Sequence, residues 1–139
     1  MSVKLYRCDD AEKLRAIHTL CLPGDEWPGL CSRSAAWVAE DSSGSPVGMC
    51  MARLTDSGKS AFLERAAVFR SHSGGGIQRR MIRVRERWAR AEGAEYAITY
   101  TLFSNWPSIT NLIKCGYRFY NPSWRWAGKM VHYFIKGLT

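Results

Sequence analysis

At 139 residues, 46% of them apolar (AVILMFWYC) and 23% charged, the chain has the usage of one ordinary globular domain over 1–139, which excludes wholesale disorder. Twenty Lys plus Arg against twelve Asp plus Glu leave a net charge of +8, which favours polyanionic partners without choosing among phosphorylated cofactors, nucleic acid and an anionic surface. No apolar run approaches the ~20 residues of a membrane helix, and MSVKLYRCDDAEK lacks the apolar stretch of a signal peptide, so a cytoplasmic location away from the membrane is expected.

Val3 to Tyr6 alternates apolar and polar residues as a half-buried strand does. Asp9 as N-cap, with Glu12 three residues on, predicts a helix carrying Leu14, Ile17 and Cys21 on one face. His18 in that helix reads as structural rather than as a base. Residues 21–29, CLPGDEWPG, break the pattern and form either a plain connection or a loop over a cleft. Trp37 to Glu40 and Val47 to Leu54 predict a hairpin across the turn DSSGSP, and Ala61 to Phe69 a third apolar strand that contains Glu64. After Gly74-Gly75-Gly76, the residues Ile77, Met81, Val84 and Trp88 step at helical spacing, with Arg79, Arg80, Arg83, Arg85, Arg87 and Arg90 on the other faces and Gly93 as the stop. Tyr96 to Thr101 is the next strand. Asn105-Trp106-Pro107-Ser108 opens a helix to Lys114 and Gly116, and Tyr117–Tyr120 and Met130–Ile135 are the last strands. This order makes an α+β or mixed α/β layer fold.

The five cysteines (Cys8, Cys21, Cys31, Cys50, Cys115) form no C-x-x-C pair and the three histidines are scattered, so reduced thiols and no metal site are expected. Three glycines between a buried strand and an amphipathic helix suit an anion: glycine admits close backbone approach, and the first-turn N–H groups and the helix dipole attract negative charge. The alternative is a flexible Ser-Gly-Gly-Gly linker. No G-K-[ST] follows the glycines and no G-x-G-x-x-G fingerprint is present, which argues against the common nucleotide loops.

The stretch Val68-Phe69-Arg70-Ser71-His72-Ser73-Gly74-Gly75-Gly76-Ile77-Gln78-Arg79-Arg80-Met81 resembles the acyl-CoA loop of the GNAT superfamily of N-acetyltransferases, in the frame V-x-P-x-x-R-G-x-G-x-G-x-x-L. Asn105 to Tyr117 is similar to a second motif of that family, N-x-x-[AS]-x-x-x-Y-x-x-x-G-[FY]. The G-I-Q-R-R form looks like small members carried by phages and prophages. The resemblance implies a mostly antiparallel mixed sheet of six to seven strands flanked by helices. It implies acetyl-CoA or another acyl-CoA as co-substrate, no metal, an amine acceptor on a small molecule, peptide or protein, and a monomer or homodimer. By position, it implies that Ala66 and Val68 pair with the pantetheine arm, that backbone N–H groups of Gly74, Gly75, Gly76, Ile77 and Gln78 hold the pyrophosphate, that Asn105 hydrogen-bonds the pantetheine arm, and that Ser73, Arg79 and Ser108 also bind the cofactor. It places Glu64 where a carboxylate takes the amine proton. An ion pair with Arg53 is the alternative role for Glu64.

The sequence departs from the family at Ser73 for Arg or Gln, Gln78 for a small residue, Arg70 for Pro, and Leu112 for the Tyr that protonates the thiolate. His72, Arg79 and Arg80 can replace the lost charge. Tyr100 and Tyr117 stand in for the acid by chain proximity alone, and each also reads as a core or rim aromatic. Three functions are therefore open: an N-acyltransferase for amines, a GNAT-type enzyme recruiting nucleic acid or aminoacyl-tRNA through its Arg-rich helix, and a non-catalytic acyl-CoA-binding module.

Overall fold

The computed structural model describes residues 2–138. They form an α+β arrangement of eight strands, three α-helices and one 3₁₀ turn, in two compact units: Met1–Arg53 with Glu64–Met81, and Leu54–Leu63 with Ile82–Thr139.

In the first unit β1 (Lys4–Arg7), β2 (Ser34–Glu40) and β3 (Pro46–Leu54) are antiparallel, with Tyr6 opposite Val38 and Val38 opposite Met49. Short β5 (Ala66–Val68) adds antiparallel to β3, with Met49 opposite Ala67. Helix α1 (Ala11–Cys21) buries Leu14 and Ile17 against Ala36, Val38, Met49 and Met51. Its N-cap is Asp10, whose side chain accepts the Lys13 N–H at 3.1 Å; Asp9, expected there from the sequence, pairs instead with Arg7. Two neighbouring aspartates are chemically equivalent caps, so residue type alone does not distinguish them; the backbone does, since Leu14 N–H closes the first helical bond on Asp10 O at 3.0 Å.

In the second unit β4 (Ser60–Phe62) runs parallel to β6 (Tyr96–Leu102), which pairs antiparallel with β8 (Val131–Gly137); β8 in turn pairs with β7 (Arg118–Phe119). Phe134, Ala97 and Thr99 line the interior, and the Thr99 hydroxyl donates to Leu63 O at 2.8 Å. Helix α3 (Trp106–Lys114) is capped by Asn105, with Pro107 in its first turn. It ends at Gly116, whose φ of +95° lets Tyr117 N–H reach Leu112 O.

Helix α2 (Ile77–Ala91) is a continuous element that starts in the first unit and continues into the second. Its buried face holds Ile77, Met81, Ile82 and Ala89, and it includes Arg85, which the sequence had placed outward. Glu86 is buried with it and takes Lys136 Nζ at 3.1 Å on both oxygens.

The single strand expected over Ala61 to Phe69 is two. Leu63 N–H makes a bond to Ile98 O; then Glu64 and Arg65 together oppose Met51, whose N–H faces both carbonyls at 3.4 and 2.9 Å. Two residues against one is a β-bulge, and the chain beyond it pairs with β3.

Gly48 makes that pairing possible. A Cβ there would stand 2.5 Å from Ala67 O and 3.1 Å from the Met81 methyl. Gly48→Ala is expected to cost about 1–3 kcal/mol and to lower Tm by roughly 4–10 °C. Gly137→Ala, which meets nothing within 4 Å, should leave Tm nearly unchanged; thermal melts of the two variants check this.

Candidate active site

The ladder between β3 and β5 decides which way the β5 backbone faces. Phe69 N–H donates to Val47 O at 2.8 Å and Met51 N–H to Arg65 O at 2.9 Å. Hydrogen-bonded pairs alternate along an antiparallel ladder. Residues 67 and 69 therefore turn their amides toward β3, and Ala66 and Val68 turn theirs to the opposite edge. Among the described residues that edge carries no strand partner. It is a two-residue template for one more extended segment.

Beyond β5, a 3₁₀ turn (Arg70–His72) leads into the glycines. Ser73 folds its hydroxyl back onto Arg70 O at 2.9 Å. Gly74 and Gly76 have φ of +81° and +82°, and a Cβ on either would meet nothing within 4 Å, so the space above the loop is open. Gly76 brings no side chain to the start of α2, whose first turn holds no acidic residue, and Arg80 N–H makes the intrahelical bond to Gly76 O. The N–H groups of Ile77, Gln78 and Arg79 precede it and have no carbonyl four residues back within the helix. The loop therefore leads directly into a helix N-terminus, whose first-turn N–H groups are of the kind that can take an anion.

Glu64 sits at the bulge with its side chain 2% exposed. Arg53 Nε lies 3.4 Å from one of its oxygens and Nη2 3.4 Å from the other, and Nη2 also reaches Pro28 O at 3.5 Å. The ion pair considered from the sequence is present. Both contacts are longer than the ~2.7–2.9 Å of a tight charge-assisted bond.

Arg65 is a site residue that the sequence reading missed. Its φ is +23°, a backbone state costing on the order of 1–3 kcal/mol for a residue with a Cβ. Its side chain spans to the α1–β2 loop: Nε to Asp25 Oδ2 at 3.0 Å and Nη2 to Glu26 O at 3.3 Å. His18 Nε2 meets the same Asp25 oxygen at 2.7 Å, and the His18 ring packs 5.4 Å from Trp27. His18 is therefore structural, and residues 25–28 are held against Glu64 and Arg65 by two arginines. The one available signal was a lone Asp-Glu within a Pro/Gly-rich loop.

In the second unit the Asn105 oxygen accepts the Ser108 N–H at 3.4 Å, so both residues are engaged at the α3 N-terminus. Tyr100 stacks on Phe62 and meets Trp126 edge-on at 5.5 Å. Leu112 is buried in the core face of α3. Tyr117 is also buried; desolvation, then the charge of Glu86, raises its phenol far above the usual range. Tyr117 is a core residue. A cavity of about 400 Å³ is lined by Phe119, Tyr120, Asn121, Arg125, Val131, His132 and Tyr133. No group of three or more His, Cys, Asp or Glu among the described residues could hold a metal ion, and no helix is long and apolar enough to cross a membrane.

The model of the acetyltransferase (GNAT) family matches residues 6–117. The chain belongs to that family. A comparison with curated proteins finds no match. Among solved structures the chain is similar to nourseothricin acetyltransferase (TM-score 0.79, 16% identity, 100% of both chains covered). It is also similar to the ribosomal-protein-S18-alanine N-acetyltransferase from Escherichia coli (TM-score 0.78, 11% identity, 99% of this chain and 95% of that one). A third similar structure is the spermidine/spermine N-acetyltransferase SpeG from Vibrio cholerae (TM-score 0.75, 14% identity, 98% and 92%). At these identities the likeness is one of fold, here the GNAT acyl-CoA N-acyltransferase fold. The family model reaches across both units of this chain, from Tyr6 to Tyr117. GNAT enzymes are N-acetyltransferases with an acyl-CoA co-substrate.

The Asp25 clamp gives a pH prediction. Burial alone would raise the Asp25 carboxyl, but hydrogen bonds and charge from His18 and Arg65 outweigh it and hold the group below its usual value. A depressed carboxylate stabilises the fold at neutral pH, and that contribution is lost as pH falls through its folded-state value. Asp25→Asn should lower Tm by about 2–5 °C at pH 7. The gap to the parent should close as pH falls below about 4. Melts across that range check both.

Proposed function

We propose that this chain is an N-acyltransferase that moves an acyl group, most simply acetyl, from acyl-CoA to a primary amine. The outward amides of Ala66 and Val68 carry the reading. They form an unpaired two-residue edge that runs directly into an open glycine loop and a helix N-terminus without acidic residues. An extended arm ending in a pyrophosphate matches that sequence of surfaces. Ala66 and Val68 would take the arm, and the N–H groups from Gly74 to Gln78, with Ser73 and Arg79 beside them, would take the phosphates.

Acyl-CoA supplies an activated thioester. The chain's own residues supply position and proton handling. The Val68 N–H is aimed to polarise a carbonyl lying along the edge. Glu64 would accept the ammonium proton, directly or through water, since a protonated amine has no lone pair for attack. Arg53 and Arg65 keep Glu64 and the 25–28 segment fixed at the bulge. Asn105, Ser108 and Tyr100 keep their proposed roles toward cofactor and leaving group on the family resemblance alone. The five cysteines, none in a disulfide, suit a reducing cytoplasm.

Gly76→Val should weaken CoA binding at least tenfold by calorimetry, through the added side chain over the loop. Gly44→Val carries equal backbone strain (φ +84°, open space) in a distant turn and should not change affinity. Glu64→Gln should lower kcat by roughly a hundredfold with CoA affinity retained. The assay is mass spectrometry of an amine panel incubated with protein and acetyl-CoA. Full turnover in Glu64→Gln with a lower Tm would leave Glu64 as Arg53's structural partner only. CoA binding without turnover by the parent would establish the non-catalytic module, the reading that Leu112 favours.

A further inference from the structure

Helix α2 carries six arginines and no lysine, and its single carboxylate, Glu86, is buried on Lys136. Arg79, Arg80, Arg83, Arg87 and Arg90 are exposed. At 100° per residue all five fall within about one quarter of the helix circumference. Arg79/Arg83 and Arg83/Arg87 stand four apart, and Arg80/Arg83 and Arg87/Arg90 three apart; like charges at these spacings repel and weaken a helix. A solvated face normally intersperses both signs. Helix α2 carries no exposed carboxylate to offset them, and Arg83 and Arg87 have no ion-pair or hydrogen-bond partner among the described residues. Of the three arginines from Arg83 to Arg90 on this face, Arg90 alone is held, through Nε on Leu138 O at 2.9 Å.

We infer that the stripe Arg83-Arg87-Arg90 docks the phosphodiester backbone of a double-helical nucleic acid. The chemistry favours this partner over an anionic membrane. A membrane-lying helix offers large apolar side chains to the lipid, whereas the apolar residues of α2 face inward and none of the exposed large hydrophobics lies on it. Guanidinium forks match phosphate oxygens in pairs, which suits arginine over lysine. Arg83 to Arg90 rises about 10 Å, over which a duplex presents about six phosphates at one charge per ~1.7 Å. Contact is through charge and register, so the stripe carries no base specificity. Arg79 and Arg80, next to the glycine loop, are left out of the test because they flank the proposed cofactor cradle.

The experiment is fluorescence anisotropy of a labelled DNA duplex and a labelled RNA hairpin between about 50 and 200 mM KCl, with saturating CoA throughout. Three phosphate contacts predict a slope of log K against log salt near −2.7. Arg83→Gln/Arg87→Gln should weaken binding at least tenfold and bring the slope to about −0.9. The charge-matched Arg15→Gln/Arg118→Gln, two exposed arginines outside α2, should change neither much. Retained circular dichroism shows that each variant folds. Binding of either probe with this pattern supports the inference, and the two arms show which nucleic acid is preferred. Two results overturn it: no binding of either probe at about 50 mM KCl, whether or not phosphatidylserine-containing vesicles bind, or equal loss in both double variants.

Discussion

The bulge at Glu64-Arg65 is the constraint on which the site depends. One apolar run enters it as β4, a strand of the parallel β4–β6 pair, and leaves it as β5, a strand antiparallel to β3. The change of partner turns the Ala66 and Val68 amides to an edge with no strand partner among the described residues. An exposed strand edge is ordinarily a hazard that proteins blunt. This one is two residues long and runs on towards the glycines, too short to template a sheet.

Local strain at Arg65 is offset by contacts on both of its ends. The carbonyl takes Met51 N–H, and the guanidinium takes Asp25 and the Glu26 carbonyl. The same contacts fix the α1–β2 loop, so backbone geometry and loop position are one coupled feature. Arg53 repeats the arrangement, bridging Glu64 and Pro28. A carboxylate buried alone would be strongly disfavoured; the partly exposed Arg53 guanidinium makes burial of Glu64 tolerable while keeping its contacts long. Glu64 is thus buried at a fixed position beside Arg53, where the packing of the bulge holds it.

Much of this was legible in the residues. Glycine and proline mark where α2 begins and α3 is entered, and Asn105 caps α3 by side-chain chemistry that its identity announces. The split of Ala61–Phe69 was not legible, because a continuous apolar run reads as one strand whichever neighbour each half pairs with. The left-handed φ at Arg65 was equally hidden, since nothing but tertiary contacts selects it. The inward turn of Arg85 escaped the helical-stripe reading, which ran Ile77, Met81, Val84 and Trp88; Ile77 and Met81 are buried, but Val84 and Trp88 are only half-buried. The roles of Glu64 and Val68 came from resemblance to a family frame. What the structure adds is the direction of the Ala66 and Val68 amides, set by the alternation of the ladder.

Backbone hydrogen exchange by NMR, with and without CoA, tests that alternation most directly. Without ligand, Phe69 N–H, bonded to Val47 O, should exchange slowly, and Ala66 and Val68 N–H should exchange fast. With CoA, Val68 and the amides from Gly74 to Gln78 should slow by roughly tenfold or more, while Phe69 stays as it was. Protection that appears elsewhere on the chain, with Val68 and the glycine loop unchanged under saturating CoA, would contradict the account.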